Sequence, residues 1–236
     1  MPARLRVWAS APRRVWAPAR RVCHVSAGVV SETGLFVCFE GGEGAGKSTQ
    51  SRLLHDWLVA RGETVLLTFE PGDTPVGKEL RRIVLDPATG DLSDRTEALL
   101  YAADKAEHVD HVVLPALERG EVVITDRYVD STLAYQGAGR TLDVAEVEAV
   151  ARWATHDLRP HLTVVLDLAP EAGLGRFDGR DRIEGQSLEF HERVRQGFLD
   201  LAAADPDHYV VLDARAPVEE IAAAIQERIS PLLGTR

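Results

Sequence analysis

The stretch Leu35–Gln50, LFVCFEGGEGAGKSTQ, decides how the rest of the chain is read. Its first six residues form an apolar run rich in β formers, the pattern of a buried strand. Its last residues begin KSTQSRLLHDWLVARG, where Leu53, Leu54, Trp57 and Leu58 recur at helical spacing and Gly62 marks the close. Between strand and helix lies Gly41-x-x-x-x-Gly46-Lys47-Ser48, the phosphate-loop pattern, in the context its mechanism demands. Glycines let backbone N–H groups approach a nucleotide's phosphates, and the helix N-terminus adds a favourable dipole. The spacing therefore predicts a donor site at Gly41, Gly42, Glu43, Gly44, Ala45, Gly46, Lys47, Ser48 and Thr49. Lys47 is expected to reach the β- and γ-phosphates of ATP, and Ser48 to hold Mg²⁺. One carboxylate, Glu43, stands among these anion-seeking glycines, and a loop that only bound phosphates has no use for it.

Working outward, further strand patterns fall at ETVLLTF, EVVITD, HLTVVLDL and HYVVLDA, each separated from the last by helical patterns. ETVLLTF reads as a second buried strand. Thr74 and Pro75 open a short helix. Ser93 opens a long one running to about Glu118, with Leu99, Ala103, Ala106, Val109, Val113 and Leu117 as its apolar stripe. Pro115 removes a hydrogen bond to the carbonyl of His111, so a bend is expected there. Helices are also expected over LDVAEVEAVARWATHDL, from Pro170, over LEFHERVRQGFLDLAAAD and over PVEEIAAAIQERISPLL. Five strands alternating with helices predict a parallel α/β sheet covered on both faces, in one domain spanning residues 34–236.

Residues 1–33 do not fit that scheme. They hold six arginines up to Ser31 and no acid before Glu32, with no regular period. Their readings are a disordered extension or a misplaced start, an Arg-rich transit peptide, and an arm touching nucleic acid or membrane. Residues 32–236 carry 37 acidic against 21 basic residues, which argues against nonspecific nucleic-acid binding by the main domain. Cys23 and Cys38 show no metal-ligand spacing and suggest a reducing, cytoplasmic setting without a disulfide framework. No apolar run approaches the ~20 residues of a membrane span.

The class of a phosphate-loop protein is set by the segments downstream of the loop. The guanine-reading Asn-Lys-x-Asp of a regulatory GTPase is absent. Instead the third strand ends in TDRYVDSTLAYQ, and a basic, glycine-broken loop, GRFDGRDRIEGQ, comes late. FEGGEGAGKSTQ, EPGDTPVG, TEALLYAADKAEHV, ITDRYVDSTLAYQGAGR, RPHLTVVLDL and DRIE stand in the order seen in bacterial thymidylate kinases, and over residues 34–236 the chain resembles that family. The resemblance implies a P-loop nucleoside-monophosphate-kinase-like three-layer sandwich with a five-stranded parallel sheet. It implies transfer from ATP with Mg²⁺ to dTMP, giving dTDP for DNA synthesis, by a homodimer packed through the long helix. A kinase for another nucleotide or nucleoside is the alternative, because Phe69, Asp73 and Lys105 replace residues usual in the family.

Residue by residue, Arg127 is expected to grip the acceptor's phosphate, and Asp126 to arrange Mg²⁺ or its waters. Tyr101 and Lys105, one helical turn apart, are expected to stack on the pyrimidine and reach its carbonyl. Ser131, Thr132, Tyr135 and Gln136 are expected to line the nucleoside pocket, with Tyr135 against the 2′ carbon, and Glu70-Pro71 to cover the acceptor phosphate. Because the phosphate loop lacks a basic side chain before Lys47, the charge on the moving phosphoryl group is expected from a lid near 175–187. Arg176 and Arg182 are expected there as catalytic groups and Arg180 as an ATP contact. Glu43 then reads as the part of the loop that faces the acceptor or the metal. Arg81 or Lys78 could make up for the arginine missing at Phe69.

Overall fold

In a computed structural model the chain is described over residues 34–175 and 181–234. The expected N-terminal extension, and Arg176 and Arg180 of the lid, lie outside the described residues. Five strands, β1 (Leu35–Glu40), β2 (Val65–Phe69), β3 (Val122–Asp126), β4 (Leu162–Asp167) and β5 (Tyr209–Asp213), form one sheet in the order β2-β3-β1-β4-β5. Every pairing is parallel.

The alternation of side chains along β1 divides the core. Leu35, Val37 and Phe39 face one layer, where they meet Leu54 and Leu58 of α1 (Lys47–Val59) and Ile221, Ile225 and Ile229 of α9 (Val218–Leu233). Phe36 and Cys38 face the other, against Val109, Val113, Leu117 and Tyr128. Glu40 comes next in the second series, so the strand delivers a carboxylate into the face where Tyr128 lies. The remaining helices are α2 (Pro75–Leu85), α3 (Asp94–His108), α4 (Leu114–Glu118), α5 (Val129–Thr132), α6 (Val144–Ala154), α7 (Pro170–Leu174) and α8 (Leu188–Ala204). Thr74 caps α2 by accepting from the Gly77 N–H at 2.8 Å, and Ser93 caps α3 by accepting from the Thr96 N–H at 3.3 Å.

Two sequence expectations need correction. The strand ETVLLTF is not buried: β2 is an edge strand, and Leu67 and Phe69 are exposed. A continuous apolar run cannot distinguish an edge from a centre, because it reports composition and not neighbours. The long helix is also interrupted. A wider, π-helical turn, Val109–Val113, lies between α3 and α4 just ahead of Pro115, with the Leu114 N–H donating to the Val109 carbonyl. The expected stripe holds for Val109, Val113 and Leu117, but Leu99 is 59% exposed. The buried face of α3 carries Glu97, Ala98, Ala102, Asp104, Lys105 and His108 instead. Its inward side is thus largely polar, which only a functional cavity or a paired charge network can offset.

Register fixes the site. Phe39 and Phe69 both pair with Asp126, so β1, β2 and β3 end at one level. The phosphate loop, Glu70 and Arg127 therefore leave the sheet side by side at its carboxyl edge, where open α/β sheets bind ligands. The loop rests on α7: a Cβ at Gly173 would stand 2.0 Å from the Glu43 carbonyl oxygen. Gly173→Ala is expected to lower stability by about 1–3 kcal/mol through overpacking. Gly42→Ala, where a Cβ meets nothing within 4 Å, should stay within about 0.5 kcal/mol of the parent. Thermal unfolding of both variants checks the contrast, and equal melting temperatures would remove α7 as the loop's support.

Candidate active site

On the donor side, Gly46 adopts a left-handed conformation, φ 91°, immediately before α1 begins at Lys47. This turns the loop so that the helix's first N–H groups face the cleft lined by Glu43 through Thr49. The Lys47 ammonium donates to the carbonyls of Gly41 at 3.1 Å and Gly42 at 2.9 Å. Burial and the nearby Arg127 lower its pKa, against the opposing carboxylates. Ser48 Oγ donates to Asp126 Oδ2 at 2.7 Å, so the two expected metal ligands already meet.

On the acceptor side, the chain turns sharply after β3. Arg127 is a non-glycine residue at φ 73°. Glu40 holds that turn: Oε1 accepts from the Tyr128 N–H at 2.9 Å and the Ser131 N–H at 3.0 Å, and Oε2 from Ser131 Oγ at 2.6 Å. Burial and the Asp130 carboxylate push the Glu40 pKa up to about 7, against the pull of Arg127 and these donors. The Arg127 guanidinium donates to Glu43 Oε1 at 2.7 Å, to Ser131 Oγ at 3.1 Å and to the Gly41 carbonyl at 3.2 Å, and lies 5.0 Å from the Tyr135 ring centroid. Tyr135 also donates to Glu43 Oε1, at 2.8 Å. Burial would raise the Glu43 pKa, but Arg127 and Lys47 overcome it and bring it down to about 2. The odd carboxylate of the phosphate loop thus points at the acceptor side.

A cavity opens beside this pair. Glu43, Glu70, Pro71, Tyr101, Arg127, Ser131, Thr132, Tyr135 and Gln136 line it, together with Arg81, Leu85, Asp181, Ile183 and Glu184. Of the residues expected at the acceptor, the structure brings together all but Lys105. The Thr132 hydroxyl is buried in this wall and has no hydrogen-bond partner among the described residues.

Lys105 is not among the lining residues. Its ammonium is buried and sits 2.9 Å from Glu70 Oε2, behind the cavity wall. Glu70 Oε1 meets His108 Nδ1 at 2.7 Å, His108 Nε2 meets Thr68 Oγ1 at 2.6 Å, and Thr68 Oγ1 donates to Asp73 Oδ2 at 2.5 Å. Burial opposes ionisation of Glu70, yet Lys105 and His108 hold its pKa below the ordinary carboxylate range. Lys105 and Asp73, two departures from the family pattern, belong to this one network. The third, Phe69, lies exposed with the Arg81 guanidinium 5.8 Å from its ring centroid, and Arg81 also donates to the Pro71 carbonyl at 2.7 Å.

Arg182 is held by α2 and α3: its Nε donates to the Val84 carbonyl at 2.9 Å, its backbone N–H to the Leu85 carbonyl at 2.9 Å, and its guanidinium is bonded to Glu97. Asp181 Oδ1 accepts from the N–H groups of Ile183 and Glu184, both at 2.8 Å. The late part of the expected lid is therefore pinned to α2 and α3. Sequence reasoning missed Glu40, Glu97, His108 and Arg140. Glu40 had a signal, a charge closing an otherwise apolar strand. Glu97 looked like an acid placed for the helix dipole.

The family model for thymidylate kinase matches residues 39–225. The chain is 57% identical over 200 residues to a thymidylate kinase of Cutibacterium acnes, covering 85% of this chain and 98% of that one. It is 49% identical over 204 residues to a thymidylate kinase of Symbiobacterium thermophilum, covering 86% and 95%. A crystal structure of thymidylate kinase from Ehrlichia chaffeensis superposes with a TM-score of 0.70 at 28% identity, covering 84% of this chain and 98% of that one.

The Glu70 network yields a stability prediction. Lys105→Met leaves a buried carboxylate short of its cation and is expected to cost about 3–5 kcal/mol. Because the folded pKa of Glu70 is depressed, its stabilising contribution is full above its unfolded pKa and is lost as pH falls through the folded value. The gap between parent and variant should therefore narrow in acid. Urea unfolding across that range checks it, and a gap that widens in acid would contradict the pairing.

Proposed function

The chain belongs to the thymidylate kinase family and phosphorylates dTMP with ATP as donor, and we propose that the two sides of the cleft divide that work. The loop from Gly41 to Thr49 takes the donor's phosphates on backbone N–H groups and on Lys47. Ser48 and Asp126 fit Mg²⁺: both offer oxygen, and this ion typically takes one or two carboxylates, with substrate phosphates and water completing an octahedron. Among the described residues no cluster of three or more His, Cys, Asp or Glu side chains offers a fuller cage. The bound ion would neutralise charge on the donor's phosphates.

The acceptor enters the neighbouring cavity with its phosphate at Arg127. Arg81 supplies a second cation where the family's usual arginine is replaced by Phe69. Tyr101 stacks on the pyrimidine, Thr132 and Gln136 read its edge, and the Tyr135 ring leaves no room for a 2′-hydroxyl. Glu43 orients Arg127 and Tyr135 and turns its charge away from the donor, where it would repel the phosphates. An oxygen of the acceptor phosphate then attacks the γ-phosphorus, the bond from that phosphorus to the β-bridging oxygen breaks, and ADP leaves. Arg176 and Arg180 remain the candidates for the lid's contacts, whereas Arg182 anchors its base. The observation that carries this reading is the unpartnered Thr132 hydroxyl in a cavity whose mouth is Arg127, one strand away from a phosphate loop.

A second copy of the chain is proposed to cover the face of α3 and α6, where Leu99 and Val150 are exposed beside an apolar groove, and a cytoplasmic setting suits the reaction. Among the described residues no helix is long and apolar enough to cross a membrane.

Two measurements test this. With ATP and Mg²⁺, dTMP should be phosphorylated in preference to dUMP, UMP, CMP and thymidine, and Arg127→Ala should lower kcat/KM for dTMP about 10²-fold or more, as loss of two charged hydrogen bonds implies. Preference for another acceptor would refute the substrate while leaving the phosphoryl transfer. For the assembly, Leu99→Glu should convert a dimer into monomers in light scattering. A parent already monomeric at micromolar concentration would end the dimer reading.

A further inference from the structure

The polar inner face of α3 contains one group that the transfer reaction does not use directly. Glu97 is fully buried and serves three neighbours. Its Oε1 accepts from Gln136 Nε2 at 3.0 Å and from Arg140 Nε at 3.1 Å. Its Oε2 accepts from Arg140 at 3.1 Å and is bonded to Arg182. Two guanidinium groups on one carboxylate keep it ionised despite burial, and an ionised carboxylate can only accept. A primary amide has a donating end and an accepting end, and facing such a group it must present the nitrogen. Gln136 also lines the acceptor cavity. With its nitrogen drawn to Glu97, its oxygen, which diverges at Cδ, is the atom left for a ligand.

We infer that Glu97 is a positioning residue for acceptor selectivity: it fixes the Gln136 amide so that a carbonyl oxygen meets the pyrimidine edge. A carbonyl there favours a base with an N–H at position 3, as thymine and uracil have, and rejects cytosine, whose N3 is itself an acceptor. Facing two acceptors leaves both without a partner, the arrangement that discriminates most strongly between otherwise similar ligands. Arg140 and Arg182 act on selectivity through Glu97, by keeping it charged. Arg182 also ties the same carboxylate to the end of α2, at the carbonyls of Val84 and Leu85. This inference rests on the reading that the cavity receives the acceptor's base.

The test uses the full-length protein with ATP and Mg²⁺ and compares kcat/KM for dTMP with that for dCMP. Glu97→Gln can meet Gln136 with either end of its own amide, so the ratio should fall about 10-fold or more. Glu97→Asp, which remains acceptor-only, should keep more of the ratio. Arg140→Met, which leaves Arg182 on Glu97, should lower the ratio less than Glu97→Gln does. An unchanged ratio in Glu97→Gln, with both acceptors equally impaired, would reduce Glu97 to a structural group and overturn the inference. Should that variant not fold, the Gln136 side-chain amide protons in the parent, tracked by nitrogen-15 NMR, decide. They are expected to stay shielded from solvent exchange with and without dTMP, and free exchange would overturn the inference. Gln136→Leu separates the premise: if it keeps parental dTMP kinetics, the pocket reading itself fails.

Discussion

The buried carboxylate of Glu40 is the constraint on which the rest of the site depends. It closes β1, the central strand, immediately before the phosphate loop. Its acceptor atoms are taken by the backbone of Tyr128 and Ser131 and by the Ser131 hydroxyl. One side chain thus joins the phosphate loop to the turn that carries Arg127. A hydrophobic contact in the same place would hold the two segments at a distance but not at an angle. Arg127 occupies a backbone conformation that a side chain disfavours, and directional hydrogen bonds on both sides of it supply the enforcement.

The same logic extends outward as a series of carboxylates placed behind the cavity wall. Glu43 holds Arg127 and Tyr135, Glu70 is held by Lys105 and His108, and Glu97 gathers Gln136, Arg140 and Arg182. Each is buried or nearly so and each has cationic partners, as burial of charge demands. A site that must bind two polyanions has to bury cations, and cations held without counter-charges lose their protonation or their position. The acids make the basic groups usable. They also explain why α3 turns a polar face inward and leaves Leu99 outside.

The sheet, its element order and the donor loop were legible in the sequence because each is a local pattern: apolar runs, helical spacing, glycines at fixed intervals. Resemblance singled out Ser131, Thr132, Tyr135 and Gln136 together, and the structure gathers them in one wall. What the sequence hid is long-range. Nothing local distinguishes Glu97, in the first turn of a helix, from an acid that merely suits the helix dipole. Only the approach of Gln136, Arg140 and Arg182 from two later segments separates them. The edge position of β2 was hidden for the same reason.

Lys105 stands where the family usually has an arginine, and its contacts follow from that difference. An arginine there could stand against the base with a planar fork while its aliphatic stem packed beside Glu70. A lysine is a compact charge with strong demand for a close counter-ion, and once desolvated it goes to the nearest carboxylate. That carboxylate is Glu70, at 2.9 Å. His108 then shares Glu70, and Thr68 passes the connection on to Asp73, the residue that stands where a glycine is usual. Lys105 and Asp73 therefore work at opposite ends of a single rigid chain beneath the Glu70-Pro71 loop, and Phe69, beside it, is matched by Arg81. Taken one at a time, the three departures weaken the case for a dTMP site. Taken through their contacts, they leave the cavity wall intact, with Thr132 and Gln136 among its lining residues and Lys105 paired with Glu70.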